Sequence, residues 1–276
     1  MTAITDNDLY VRGIATLLAS WEEYARGCAG AALERLNGVS AAVFPSEPER
    51  LVYNNALLGR DLGPAERAAA LDAMEATCRS AGVERYAAWV HESDVAMRGE
   101  LRNRGYTVEE CTRAMGMSLG EIALSLPEVE LGPPDWGEYM RILGVLAGLL
   151  TGADPSAFHI LVARLAGENV ATAMAFDHDG DSGVFSVSTL EAARRRGLGT
   201  ALTARHVHDA AKRGCSTANL QSTAMAARVY AAAGFRDLGR ILEYVPCGSA
   251  TAPLWTSDEV LDLCASLRVR VLALPR

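Results

Sequence analysis

The chain has 276 residues, half of them hydrophobic, and its 26 Lys and Arg against 34 Asp and Glu give a formal net charge of −8. That length predicts two domains, each able to bury a core of its own. The acidic balance argues against nucleic acid as the main partner and favours a cationic small molecule.

The opening Met-Thr-Ala-Ile-Thr-Asp-Asn-Asp lacks the basic and apolar stretches of a leader, and Ile142 to Leu150 is too short and glycine-broken to span a bilayer. A cytoplasmic protein with no membrane partner, monomeric or homodimeric, is expected. Ala65 to Ser80 has helical spacing and stops at Gly82, Arg85 to Val90 alternates as a strand, Asp94 to Arg104 is helical, and Gly105-Tyr106 leads into Val108 to Met117. The Pro- and Gly-rich stretch Leu126 to Pro134, followed by Asp135 as an N-cap, marks a boundary. It divides the chain into domains at 1–126 and 127–247 and a tail at 248–276.

The second domain opens with a strand over Val129 to Leu131 and a helix from Trp136, with a break at Gly144 or Gly152. Strands follow at Phe158 to Leu165, Val170 to Phe176 and Gly183 to Val187, joined by hairpin chemistry in Gly167-Glu-Asn169 and Asp177-His-Asp-Gly-Asp181. A helix over Gly199 to Lys212, a strand over Ser216 to Gln221, a helix over Ala224 to Ala233 and a strand over Phe235 to Val245 complete it. Cys247 to Pro253 reads as a linker, and Thr256-Ser-Asp-Glu259 as a capping box opening a last helix. The helix-strand-helix-strand order occurs in both halves, with 23 residues from Gly82 to Gly105 and 20 from Gly214 to Gly234, which predicts an internal repeat.

Within the second half, Val187-Ser-Thr-Leu-Glu-Ala-Ala-Arg-Arg-Arg-Gly-Leu-Gly-Thr200 breaks from an alternating strand into a basic, glycine-bearing turn and then a helix. Gly197 and Gly199 let the main chain approach an anion, and the first N–H groups of the helix have no internal acceptors. The stretch therefore reads as a diphosphate cradle. Dinucleotide and nucleotide loops are excluded by spacing: Leu202 stands where the third glycine of Gly-x-Gly-x-x-Gly belongs, and Gly-Lys-Ser/Thr is absent. No Gly-x-Ser-x-Gly supports a serine nucleophile. Six cysteines without a Cys-x-x-Cys pair or a neighbouring histidine set predict neither a metal nor disulfides.

Arg194-x-x-Gly197-x-Gly199 resembles the Arg/Gln-x-x-Gly-x-Gly/Ala signature of the GNAT acetyltransferase superfamily, and Tyr230-Ala-Ala-Ala-Gly234-Phe235 resembles the Tyr-x-x-x-Gly-Phe ending of that family's last helix. The resemblance implies a mixed α/β fold in two tandem GNAT-like domains. The first would be degenerate, because Gly59-Arg-Asp-Leu-Gly63-Pro64 stands where its cradle belongs. It also implies acetyl-coenzyme A as acyl donor and a primary amine as acceptor, with direct transfer in a ternary complex. A small cationic amine suits the charge; a protein lysine or N-terminus, and a non-catalytic acyl-coenzyme A-binding module, are the alternatives.

Residue by residue, the resemblance places Val187 at the thioester carbonyl, Ser188 and Thr189 along the pantetheine arm, and Arg195, Arg196, Gly197, Leu198, Gly199 and Thr200, with Arg194 of the signature, at the pyrophosphate. Tyr230 matches the tyrosine that protonates the departing sulfur. The family often carries an asparagine seven residues earlier; this chain has Thr223 there, beside Ser222, and these hydroxyls are expected at the coenzyme. No general base is assigned. Asp177, Asp179 and Asp181 read as turn formers, His206 and His208 as surface residues, and His159 as a candidate for touching substrate.

Overall fold

A computed structural model describes residues 4–46, 53–120, 122, 124–144 and 153–247. The expected tail at 248–276 lies outside them. In chain order the elements are α1 (Asp6–Arg26), β1 (Ala32–Leu36), β2 (Val39–Val43), β3 (Asn55–Leu58), α2 (Pro64–Ser80), β4 (Ala87–His91), α3 (Val95–Asn103), β5 (Tyr106–Ser118), α4 (Trp136–Leu143), β6 (His159–Leu165), β7 (Glu168–His178), β8 (Asp181–Thr189), α5 (Leu198–Arg213), β9 (Thr217–Ser222), α6 (Ala227–Ala232) and β10 (Arg236–Pro246). One helix, three strands, a helix, a strand, a helix and a strand thus occur twice, so the repeat extends over the whole described chain. The expected strand at Val129 to Leu131 is reduced to a single bridge from Leu131 to Ala163.

Side-chain caps fix the helix starts. Asp94 accepts from the Met97 N–H at 2.9 Å, and Asp135 from the Glu138 N–H at 2.8 Å, so each carboxylate satisfies a donor that the helix cannot. Thr5 and Asp8 form a reciprocal box that opens α1, with the Asp8 N–H on the Thr5 hydroxyl at 3.1 Å.

The chain folds as two compact units. One contains the chain up to Gly27 and Ala114–Leu238; the other contains Cys28–Arg113 and the chain from Gly239. These limits differ from the division at 126/127 expected from sequence. Two of the three limits fall inside β5 and β10, because strand pairing is set by contacts far apart in the chain, whereas the Pro/Gly stretch at 126–134 marks only a local turn.

In the unit of Cys28–Arg113, β1, β2 and β3 are successively antiparallel, β3 and β4 are parallel, and residues 241–244 of β10 run antiparallel to β4. Leu71, Met74, Met97, Leu101, Tyr106, Val108, Leu242 and Tyr244 are buried together there, with α2 and α3 supplying one wall.

In the other unit, β6, β7 and β8 are successively antiparallel and β8 runs parallel to β9. Val207 and Ala210 of α5, with Ala233 and Phe235 just past the end of α6, are buried with Val184, Ala218 and Leu220. α1 is anchored through the buried Asp181 carboxylate, which accepts from the Thr16 hydroxyl at 2.6 Å, the Thr217 hydroxyl at 2.6 Å and the Asn219 amide. Gly13 permits the close approach, since a Cβ there would lie 2.9 Å from Asn219 Cβ. Asp181 is therefore a strand residue holding a helix, not a turn former. No helix among the described residues is long and apolar enough to cross a membrane.

Candidate functional site

The candidate site is built where β8 leaves its neighbour. Its parallel ladder with β9 runs from Asp181/Thr217 to Val184/Leu220 and ends there, although both strands continue. On its other side the register with β7 slips between Thr172 and Met174, and Ser186 takes a left-handed φ of 53° to absorb the bulge. Phe185 to Thr189 therefore carry main-chain polar groups with no strand partner on the β9 side. Such groups demand a ligand, water or protein partner. Val187, Ser188 and Thr189, expected at the acyl and pantetheine end, all lie in this stretch and are half-buried.

The strand passes through Leu190, whose N–H still bonds Val170 O at 2.9 Å, and one turn of 3-10 helix (Glu191–Ala193). The Arg194 guanidinium donates to Thr189 O at 3.2 Å, which ties the turn to the strand end. Arg195 adopts φ 63° and Gly197 adopts φ 76° as the N-cap of α5. The Ala201 N–H bonds Gly197 O at 2.9 Å, so the N–H groups of Leu198, Gly199 and Thr200 lie ahead of the first helical bond. A Cβ at Gly197 would meet open space, while one at Gly199 would lie 3.5 Å from Val187 Cγ1. The turn thus sits directly over the bulged strand. Arg194, Arg195 and Arg196 are exposed, Leu198 packs against the core, and Thr200 is half-buried.

These features fit a diphosphate. Open donors, open space at the left-handed Gly197 and three exposed guanidiniums in sequence give both hydrogen bonds and charge.

Tyr230 lies on α6, half-buried against the α5–α6 core, with its ring 6.1 Å from that of Phe235 in edge-on contact. Burial raises its phenol above the ordinary value, more than a hydrogen bond with the Thr203 side chain lowers it. At neutral pH it is a protonated phenol. Ser222, at the end of β9, is buried and its hydroxyl donates to Thr223 O at 2.9 Å, while the Thr223 side chain is exposed.

Several expectations are corrected here. His206 is 1 % exposed on the inner face of α5, and burial lowers its value to about 4 although the Ala173 backbone bonds it; His208 bonds Leu124 O at 2.8 Å. His206 is therefore no surface histidine, because α5 turns its face onto the sheet, while His208 lies on a different face, half-buried and tied to the Leu124 carbonyl. Asp177 is a strand residue paired to Arg213 at 2.6 Å and bonded by Ser182 at 2.7 Å. Burial alone would raise its carboxyl, but hydrogen bonds from His159, Arg213 and Ser182 hold it well below the usual carboxylate range. His159 Nε2 lies 3.3 Å from Asp177 Oδ2. Asp179 alone is a turn residue, exposed and at φ 46°. Among the described residues no group of three or more His, Cys, Asp or Glu is placed to hold a metal ion.

The repeat supplies a counterpart in the Cys28–Arg113 unit. Arg60-Asp-Leu-Gly63 keeps the spacing of Arg194-Arg-Arg-Gly197, Asp61 repeats the left-handed turn at φ 60°, and the Arg67 N–H bonds Gly63 O at 2.9 Å as Ala201 bonds Gly197. The donors differ. Pro64 at the first helical position has no N–H, and the Gly63 N–H already donates to Glu66 Oε2 at 2.8 Å. Beside the proline, the arginine spacing and the glutamate cap are both legible in the sequence, the cap as a Gly-x-x-Glu opening.

Residues 156–237 match the family model described as an acetyltransferase (GNAT) domain. Among solved structures, a GCN5-related N-acetyltransferase from Kribbella flavida is 19% identical, with 86% of this chain and 96% of that chain covered at a TM-score of 0.66. One from Sphaerobacter thermophilus is 15% identical, with 88% and 93% covered at 0.58. A tandem GNAT protein from the clavulanic acid biosynthesis pathway is 13% identical, with 88% and 96% covered at 0.53. These three share the fold. A comparison with curated proteins returns no match. The family match thus spans the bulged strand, the arginine turn and α5, and the chain carries a GNAT acetyltransferase domain over residues 156–237.

Proposed function

We propose that the unit carrying α5 and α6 transfers an acetyl group from acetyl-coenzyme A to a primary amine, a small cationic one by preference, in a ternary complex. The turn at 194–200 carries the reading. Its free N–H groups and three arginines would hold the diphosphate, and Phe185 to Thr189 would run beside the pantetheine arm, with the Val187 N–H toward the thioester carbonyl. Ser222 and Thr223 would flank the arm from the end of β9. When bound, the coenzyme supplies a thioester open to attack by a neutral amine. Tyr230 would then give its phenol proton to the leaving sulfur, a role that a neutral, partly buried phenol suits. The chain's net charge of −8 favours a cationic acceptor. In the other unit, Pro64 and Glu66 leave the matching turn unsuited to a diphosphate, so that unit would act without a coenzyme of its own.

An amine panel assayed for free thiol release from acetyl-coenzyme A, with Tyr230→Phe alongside, tests this. Turnover with a small diamine or amino sugar that falls about a hundredfold in the variant is expected. No turnover with any amine, or an unaffected variant, would remove the assignment.

A further inference from the structure

We infer that Phe185 closes the acyl end of the cleft, held in place by the bare backbone of Gly183, and so restricts the donor to short acyl groups; the inference rests on the acetyltransferase reading above. On that reading the coenzyme arm passes Thr189 and Ser188 to a thioester at Val187, and its acyl group continues along β8 toward residue 185. The opening ends there, because β8 rejoins β9 at Val184 and Leu220. Phe185 is the first residue of β8 beyond that closed ladder, and its side chain is half-buried.

The ring lies back along its own strand. Val184 points into the core under α5, so Phe185 and Gly183 share the opposite face of β8. α1 packs on that face, with Gly13 against Asn219, the β9 partner of Gly183. A Cβ on Gly183 would fall on Phe185 Cζ and lie 2.6 Å from Cε2, so the ring occupies the space that a side chain at 183 would need. Gly183 is not among the residues at positive φ. Its missing side chain serves the ring and not the backbone.

Two consequences follow from this packing. Folded back over Gly183, the ring is drawn away from Val187 and leaves the strand there to the thioester. It also fills the space beyond, where an acyl chain longer than acetyl would extend, and a close-packed wall does not stretch to admit more carbon. One methylene against such a wall changes kcat/KM by about tenfold or more. With a methyl group at residue 183 the ring would lose its place and swing toward Val187.

Thiol release from acetyl-, propionyl- and butyryl-coenzyme A, with the best amine of the panel, tests this. Wild type should lose at least about tenfold in kcat/KM from acetyl to butyryl, and Phe185→Ala should raise the butyryl-to-acetyl ratio by at least about tenfold. Gly183→Ala should lower acetyl transfer more than about tenfold. Gly183→Ala/Phe185→Ala should return to the profile of Phe185→Ala, because the added methyl group then displaces no ring. If Gly183→Ala does not fold by circular dichroism, the ratio in Phe185→Ala decides. Equal use of acetyl and butyryl donors by wild type, an unchanged ratio in Phe185→Ala, or a folded double variant no better than Gly183→Ala would overturn the inference. No thiol release by wild type from any of the three donors removes the acetyltransferase reading and the inference with it. Wild-type turnover beside an unchanged ratio in Phe185→Ala removes the inference alone.

Discussion

The Glu66 carboxylate accepts the Gly63 N–H at 2.8 Å, placing a negative side chain of the protein at the helix start that corresponds to Gly197 and Thr200 in the other unit. Two equivalent turns therefore differ in who supplies the anion. At Gly197 the donors are open and three arginines precede them; at Gly63 the carboxylate is built in, and Pro64 has removed a further donor.

Calorimetric titration with coenzyme A should accordingly give one site per chain. The double variant Pro64→Leu/Glu66→Thr, which restores an N–H and removes the internal carboxylate, should gain a second, weaker site. Two sites in the wild-type chain would contradict this account of the Gly63 turn.

Gly197 tests the first turn from the opposite direction. Its φ of 76° and the open space around its missing Cβ mean that Gly197→Asp fits sterically, at about 1 kcal/mol of backbone strain, and sets a negative charge against the diphosphate. Coenzyme A affinity should drop more than about tenfold while circular dichroism stays unchanged. Raising the salt should weaken wild-type binding as well, since the arginines are exposed.

His206 should make folding sensitive to mild acid. Burial holds its folded value at about 4 against an ordinary 6.5, and its Nε2 has no hydrogen-bond partner. Between those values the unfolded chain binds a proton that the folded chain refuses. Stability is complete above the ordinary value and is lost as pH falls toward about 4, by on the order of 3 kcal/mol. The wild-type urea midpoint should fall relative to that of His206→Leu as the pH is lowered across that range. Parallel curves would show that His206 is not the titrating group.

Asp181 should matter for folding and not for binding. Asp181→Ala would leave the buried Thr16 and Thr217 hydroxyls and the Asn219 amide without their acceptor and loosen α1, at a cost of about 3 kcal/mol or more. A lowered thermal midpoint with unchanged coenzyme A affinity at low temperature is expected. Unchanged stability would show that α1 is held by other contacts.

Much of the fold was legible wherever glycine punctuates a clear period. Gly82, Gly105, Gly214 and Gly234 mark the paired elements, each in the left-handed conformation, and the expected helix at Ala65 to Ser80 is observed as Pro64–Ser80. The first 58 residues carry only short signals: Thr5 to Asp8 is a capping box, and Asn37-Gly38 closes the β1–β2 hairpin between the paired Leu36 and Val39. The burial of His206 and the release of Asp181 from the turn were not legible, because each depends on which helix packs over which strand. The bulge at Ser186 and the limits of the compact units inside β5 and β10 arise from long-range pairing that no local pattern encodes.

The central claim is tested most directly by a crystal structure of the chain with coenzyme A. The account predicts diphosphate oxygens within hydrogen-bonding distance of main-chain N–H groups in residues 195–200, with the pantetheine arm beside Phe185 to Thr189. A diphosphate seated at Asp61 to Glu66, or a turn at 195–200 bearing no ligand contact in the complex, would contradict it.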